Sequence, residues 1–297
     1  MDKFDAIRIF IAVVDLGGFA KAARKLRYSP TAVTRAIAEL EKELGVGLLT
    51  RTTRSVSTTE RGAIYVERCR RLLADIDESE RVTRGEGAAP RGELRVTAPV
   101  MFGRLHVLPI IEELLNTHHN LTVRLILSDR TADLVDEGID VAVRIGKLDE
   151  SGLVATLLAS VQTVLVASPS YLAQFGRPKT IDDLRTHQLI EFEAIGATND
   201  WKFGARGEKS VRIKPRLSVN SAAAAIAAAE HGFGITRAIS YQVRESIARG
   251  SLELVLAHIA SRKMPVHLVY PANRRGSANV VAFAEIARRQ IKRAFAA

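Results

Sequence analysis

Cysteine is almost absent from this 297-residue sequence: Cys69 stands alone. One thiol cannot form an intramolecular disulfide, so packing must hold the fold, and a reducing, cytoplasmic setting is expected. Long hydrophobic runs are also lacking. No apolar stretch approaches the ~20 residues of a membrane span, so no membrane-inserted helix is expected. Met1 leads directly into a charged amphipathic segment, so no secretion signal is expected either. The seven histidines show no metal-ligand spacing, and even the adjacent pair His118-His119 falls in an expected turn. No G-x-S-x-G, phosphate-loop or GxGxxG pattern stands between a strand and a helix. His231-Gly232-Phe233-Gly234 is only a glycine-rich helix end. Catalysis therefore has no residue set to carry it, and no metal or cofactor is expected.

What is present describes a folded, two-part chain. Hydrophobic residues make up 47% of the sequence and charges of both signs 26%. The length leaves room for a small head and a larger domain with its own core. Formal net charge is +10, but residues 1–90 carry only +3 of it, from 16 Lys and Arg against 13 Asp and Glu. Overall basicity thus argues weakly for nucleic acid. The local cluster Lys21, Arg24, Lys25, Arg27, Arg35, Arg51 and Arg54 argues better.

Asp2 to Leu16 reads as a first helix, with Phe4, Ile7, Ile11 and Val14 on one face and Gly17-Gly18 as its stop. Phe19 to Leu44 reads as two helices joined by a tight turn. Ala20, Ala23 and Leu26 share a face of the first. Val33, Ile37, Leu40 and Leu44 share a face of the second, at offsets of four, three and four. Ser29 is the expected N-cap and Pro30 suits the first helical position; Ala32 stands where a capping box needs Glu. Thr31, Thr34, Arg35 and Ala38 then point outward together. Short hydroxyls and one Arg allow close approach to base edges, and Arg can pair with guanine through two hydrogen bonds. This is the shape of a helix-turn-helix. An Ala-rich helical hairpin with an exposed Arg also occurs in proteins that never touch DNA. Gly45 to Ser57, alternating and rich in Thr and Val, reads as a β-hairpin wing with Arg51 and Arg54 placed for phosphate contact.

The stretch SPTAVTRAIAELEKELGVGLLTRTTRSVSTTERG closely resembles the amino-terminal head of LysR-type transcriptional regulators. The resemblance is carried by Ser29-Pro30, Ala32-Val33-Thr34-Arg35, Leu40-Glu41, Leu44-Gly45, Arg51-Thr52-Thr53-Arg54 and Thr59-Glu60-Arg61-Gly62. It implies a double-stranded DNA operator as partner. Thr31, Thr34 and Arg35 would read bases, while Lys21, Ser29, Pro30, Arg51 and Arg54 would lie along the backbone contact. Residues 1–58 form the expected winged helix-turn-helix domain.

Thr59 to Arg84 reads as one long helix with its only Gly, Gly62, in the first turn. Tyr65, Cys69, Leu72, Ile76, Ser79 and Thr83 follow the spacing of a coiled-coil seam. An amphipathic helix packed on its own domain satisfies the same pattern. The resemblance favours dimerisation through this 59–84 helix, with Tyr65, Cys69, Leu72 and Ile76 in the seam, and implies a tetramer built from two dimers. Cys69 is expected to act as a small buried hydrophobe. Gly85 to Gly92 is the clearest linker, the 85–92 hinge.

From Glu93 the pattern changes. Leu94 to Thr97, Leu121 to Leu127 and Ile139 to Arg144 read as strands, with helices at Arg104 to Thr117 and Thr131 to Glu137. Such alternation predicts a parallel sheet with crossovers. A second set runs through Gln162 to Ala167, Ser170 to Phe175, Leu217 to Asn220, a helix at Ser221 to His231, and Gly234 to Thr236. Val266 to Tyr270 and a helix from Asn279 towards Phe295 close the chain. RGELRVTAPVMFGRLHVLPII, DLVDEGIDVAVRIG, SPSYLAQFG and PVHLVYPANR resemble the LysR-type effector domain, itself similar to periplasmic binding proteins. His119 stands where a Pro is common in that family's helix-to-strand turn. The fold class is thus α+β and multi-domain: a winged helix-turn-helix head, a linker helix and two α/β subdomains. Within 93–297, subdomain I is expected at about 93–161 and 266–297, and subdomain II at about 162–265.

Open sheets of this kind bind ligands at the carboxyl ends of their strands. The loops Pro99-Val100-Met101-Phe102, Ser128-Asp129 and Asn220-Ser221 qualify, and Arg144, Thr236 and Arg237 are expected at other strand ends. Met101 and Phe102 equally suit a core, Asn220 and Ser221 a helix cap, and Arg144 an ion pair. Free N–H groups beside Arg suggest a small anionic effector. Three classes compete: a ligand-responsive DNA-binding regulator, which is favoured; a solute-binding module; and a small-molecule enzyme. RNA polymerase is a further partner to expect for the first class, and no membrane is.

Overall fold

Apolar residues surround most of the first helix, α1 (Lys3–Leu16), so its buried face is decided by its neighbours. Next come α2 (Phe19–Leu26) and α3 (Pro30–Leu44), a wing of β1 (Leu49–Arg51) and β2 (Val56–Thr58), and the long helix α4 (Glu60–Thr83). The structure is a computed structural model that describes residues 1–51, 56–84, 89–130, 133–148, 152–193, 200–204, 207–259 and 263–295. Arg54, the linker residues Gly85 to Ala88, and Thr131 lie outside the described residues. Residues 1–88 and 89–297 form two compact units.

In the first unit, Ile9, Phe10 and Val13 of α1 meet Ala22 and Ala23 of α2 and Val33, Ala36, Ile37 and Leu40 of α3, with Leu48 and Val66 completing the core. The expected α1 face is corrected in part: Ile7 is buried and Ile11 and Val14 pack partly buried on the core, but Phe4 is 41% exposed, and Ala6, Ile9, Phe10 and Val13 supply most of the buried face. Both sets obey helical spacing, and contact with α2, α3 and α4 together selects the second. On α2 the buried pair is Ala22 and Ala23, and Ala20 is exposed. Left-handed residues end all three helices, at Gly17, Arg27 and Gly45. Arg27 holds φ at 60° with a side chain, a strain of roughly 1–2 kcal/mol.

The wing is tied to the helices at two points. Glu41 Oε1 accepts from the Leu48 N–H at 2.7 Å and the Leu49 N–H at 3.0 Å. Thr59 donates its hydroxyl to the Gly47 carbonyl at 2.9 Å and accepts from the Gly62 N–H at 2.9 Å, capping α4. A Cβ at residue 62 would lie 1.9 Å from the Leu48 carbonyl oxygen, so only glycine fits there.

The second unit contains β3 (Gly92–Ala98), α5 (Val100–Phe102), a π-helical turn (Gly103–Val107), α6 (Leu108–Thr117), β4 (Leu121–Leu127), β5 (Val141–Ile145), β6 (Leu153–Ala167) and α7 (Pro169–Phe175). After these come β7 (Leu189–Phe192), β8 (Asp200–Phe203), β9 (Lys209–Arg212), β10 (Leu217–Val219), α8 (Ala222–Glu230), β11 (Ile235–Ile239), α9 (Ser240–Ala248), β12 (Glu253–Val255), β13 (Lys263–Pro271) and α10 (Ala278–Ala294). Among the described residues one sheet has the order β10-β7-β11-β6-β13-β5-β3-β4, with β12 also paired to β6. The expected parallel sheet is mixed. β3 pairs in parallel with β4 and β5, and β7 with β10 and β11. The strands β6 and β13 run antiparallel to their neighbours. β6 pairs with β13 from Leu153 to Gln162 and with β11 and β12 beyond, so one strand serves both halves.

The strand expected from Gln162 begins at Leu153; Leu153 to Val161 mixes small, polar and apolar residues without clean alternation, so its residues do not announce it. The expected helix at Thr131 to Glu137 is absent where described: Asp133 Oδ1 accepts from the Val135 and Asp136 N–H groups, a side-chain turn that replaces helical bonding. No described helix is long and apolar enough to cross a membrane.

The two halves of the sheet share one core. Phe102 lies 5.3 Å from Tyr241 of α9 and 6.0 Å from Phe295, and His106, in the π turn, is 4.8 Å from both Phe102 and Phe295. His106 Nε2 has no hydrogen-bond partner among the described residues. Burial, with help from Arg244, holds its imidazole below the ordinary value of 6.5.

Two tests follow from this packing. Gly62→Ala forces a methyl against the wing backbone and should destabilise the head by about 1–3 kcal/mol, seen as a lower thermal midpoint. An unshifted midpoint would mean the wing base yields freely. For His106, the unfolded chain takes up a proton near its ordinary pKa that the folded chain refuses. That stability is present above about pH 6.5 and declines as pH falls below it. His187 is depressed by burial in the same direction, so the comparison isolates His106: His106→Phe should lose stability less steeply between about pH 7.5 and 5.5. Equal slopes would remove His106 from the account.

Candidate nucleic-acid interface and effector domain

With Val33, Ala36, Ile37 and Leu40 turned into the head, α3 presents Thr31, Thr34, Arg35 and Ala38 as one exposed stripe. Ser29 caps the helix by accepting from the Ala32 N–H at 3.1 Å, which leaves its own O–H free to donate. Pro30 occupies the first position, as the sequence implies. Thr34 donates its hydroxyl to the Pro30 carbonyl at 3.0 Å, so its oxygen is offered outward mainly as an acceptor. Arg35 Nε donates to Glu39 Oε1 at 2.7 Å one turn on. Both side chains are exposed, so the pair adds little stability. It orients the guanidinium and leaves its two terminal nitrogens for other acceptors. Lys21, Arg24, Lys25 and Arg27 are exposed on α2 and the following turn. Tyr28, also exposed, stands directly before the cap, and no periodicity in the sequence singles it out. Arg51 ends β1.

Along α4, Tyr65 packs 5.9 Å from Phe10 and Cys69 is buried. Burial pushes the Cys69 thiol up, away from the reactive thiolate. Leu72 is 47% exposed and Ile76 half-buried. The upper part of the expected seam is therefore occupied within the head, and the lower part is open.

In the effector domain the Pro99 and Ser128 loops come together. The Val100 N–H donates to Asp129 Oδ1 at 3.1 Å and the Ser128 N–H to the Ala98 carbonyl at 3.0 Å. Val100 is exposed, Met101 is buried, and Phe102 is spent in the aromatic core. Ser221 caps α8 through the Ala224 N–H, beside exposed Asn220. Arg144 is half-buried and lies opposite His267 of β13. The expected strand-end positions of Thr236 and Arg237 are corrected: β11 runs Ile235–Ile239, so both lie within it. Thr236 is buried and donates to the Ile190 carbonyl at 3.0 Å. Arg237 faces Glu191 at 3.5 Å and lies 5.5 Å from the Trp201 ring. Glu191, a buried carboxylate in an apolar strand, went unremarked in the sequence; a single acid among Leu189, Ile190 and Phe192 is the signal that marks it. Among the described residues no group of His, Cys, Asp or Glu is arranged to hold a metal.

Residues 4–63 match the bacterial regulatory helix-turn-helix protein, LysR family, and residues 87–292 match the LysR substrate binding domain. The chain belongs to the LysR family. An HTH-type transcriptional repressor of Pseudomonas aeruginosa is 34% identical to this LysR-type regulator, over 95% of this chain and 90% of its own length. The transcriptional regulator CrgA of Neisseria meningitidis serogroup C is 33% identical over 90% of this chain and 89% of its own. The solved structure of CrgA matches with a TM-score of 0.63 at 29% identity, covering 97% of this chain and 98% of that one. Full-length AphB of Vibrio cholerae gives 0.61 at 25% identity, with 97% and 99% covered. The protein is a LysR-type transcriptional regulator with a DNA-binding head and an effector-binding domain.

Proposed function

We propose that this regulator reads its operator with Thr31, Thr34 and Arg35, and is held on the phosphates by Lys21, Ser29, Arg51 and Arg54 around the Pro30 helix start. The observation that carries this is the exposed Thr31, Thr34, Arg35 and Ala38 stripe, backed by a fully buried face on the same helix. Short side chains let the helix enter the groove, and the α3 N-terminus favours a phosphate. Tyr28 adds a hydroxyl beside that start. Two heads joined through α4 place two such helices in successive major grooves about 34 Å apart. Leu72 and Ile76 are the open part of that seam; Tyr65 and Cys69 support it from within each head. Family membership favours a dimer of dimers, acting in the cytoplasm with RNA polymerase and without catalysis of its own.

The working division is 1–58 for the head, 59–84 for the pairing helix, 85–92 for the hinge and 93–297 for effector binding. Within 93–297, the residues near 162 and 266 separate the two subdomains. A small anionic metabolite between them would meet Pro99, Val100, Ser128, Asn220, Ser221 and Arg144. Asp129 already holds the Val100 N–H, so Arg144 and the hydroxyls carry most of the attraction. The effector acts by binding one arrangement of the subdomains better than another.

The decisive experiment is to sequence the genomic fragments that the purified protein retains and to measure affinity for them. Retention of no preferred sequence would overturn the reading. On a retained site, Arg35→Ala should lose roughly 1–3 kcal/mol and relax discrimination at one base position, whereas Arg51→Ala should weaken binding to all sequences and reduce the salt slope. An effect of Arg51→Ala confined to one base would contradict its role. Arg144→Ala should blunt the response to metabolites of neighbouring genes' pathways while leaving effector-free DNA affinity intact. A normal response in that variant would remove Arg144 from the site.

A further inference from the structure

Apart from the loops just described, the effector domain holds a cavity of about 100 Å³ built from β6, β8, β11 and β12. None of the Pro99, Ser128 or Asn220 loops lines it. Among the described residues its wall carries two cations, Lys202 and Arg237, and no carboxylate; Phe203, Leu254, Val255 and Ile259 supply apolar surface. Arg237 reaches the cavity from inside the sheet. Its side chain is 29% exposed, whereas that of its partner Glu191 is 3% exposed. Glu191 is shared, because its other oxygen accepts from the Trp201 indole N–H.

The charge balance around Arg237 is incomplete. Burial depresses its guanidinium and raises the Glu191 carboxyl, and in each case burial outweighs the attraction between the two. An ion pair at 3.5 Å, shared with an indole, does not offset the loss of water. The Trp201 ring supports the cation from one side, 5.5 Å away. An under-compensated guanidinium opening on a largely apolar cavity suits a ligand with a carboxylate at one end and a hydrocarbon body at the other.

We propose that this cavity is a second ligand site, separate from the one between the subdomains, and that it takes a small monocarboxylate with an apolar body. Arg237 receives the carboxylate, Lys202 adds positive charge, and Leu165, Phe203, Val255 and Ile259 enclose the body. Trp201 is the sole tryptophan of the chain and its ring lies 5.5 Å from the Arg237 guanidinium, so its emission responds to a ligand seated on that cation.

The test titrates the full-length protein with benzoate and with neutral benzamide, reading Trp201 emission and, independently, calorimetric heat. Benzoate should bind saturably and benzamide at least about tenfold more weakly. Arg237→Gln should weaken benzoate by about ten- to a hundredfold, the loss expected for a hydrogen bond to a charged group. Ala257→Phe adds bulk at a lining position outside the Glu191, Trp201 and Arg237 contacts and should weaken benzoate as well, which keeps the test decisive if Arg237→Gln does not fold. No saturable binding, equal binding of benzamide, or unchanged benzoate affinity in Ala257→Phe would overturn the second site. So would benzoate binding lost in Arg144→Gln and retained in Arg237→Gln, because the ligand would then occupy the site between the subdomains. Operator binding by the same preparations is measured alongside, so failure of this site is distinguishable from failure of the DNA-binding reading.

Discussion

One strand hydrogen-bonds to both halves of the effector domain. β6 pairs with β13 along its first stretch, then with β11 and β12, and so belongs to two half-sheets at once. Relative motion of the halves must bend or twist this strand and its partner β13, where the register already shifts between Val266 and His267. Such an irregularity gives a ladder a place to yield. The shared aromatic core of Phe102, His106, Tyr241 and Phe295 adds a second junction between the two half-sheets, and it includes a π-helical turn, a form often found where a helix has been adjusted for function. Movement between the two half-sheets therefore has a small set of places in which to originate within this domain.

The head solves a different problem, which is to hold a thin wing against three short helices. Its core is small, and polar contacts complete it. Glu41 satisfies two wing N–H groups, Thr59 caps α4 while bonding to Gly47, and glycine at 62 lets backbone meet backbone. Left unpaired, each half-buried amide would cost about 1–3 kcal/mol. The Leu40-Glu41 and Thr59-Glu60-Arg61-Gly62 motifs thus have a mechanical reason in this chain.

Much of this was legible in the residues. Ser29, Pro30 and the Val33, Ile37, Leu40 spacing define α3 and its exposed stripe, because cap chemistry and helical periodicity are local. The α1 face was not legible, since ten apolar residues among the fourteen of one helix leave the choice to its partners. The mixed sheet was missed for a related reason: pairing direction depends on which strands meet, and Leu153 to Val161 carries no alternation to announce a strand. Thr236 and Arg237 were misplaced because the strand continues through Ala238 and Ile239, apolar residues that also suit a helix start. The Glu191, Trp201 and Arg237 cluster joins residues from three segments, and no single stretch of sequence contains it.

The close approach of Gly62 to Leu48 has a consequence for how force travels. Because the first turn of α4 touches the base of the wing with no side chain between them, the two cannot rotate independently. A twist of that first turn meets the Leu48 backbone directly, with no methylene groups between to absorb it. Reorienting the first turn of that helix therefore carries the base of the wing with it.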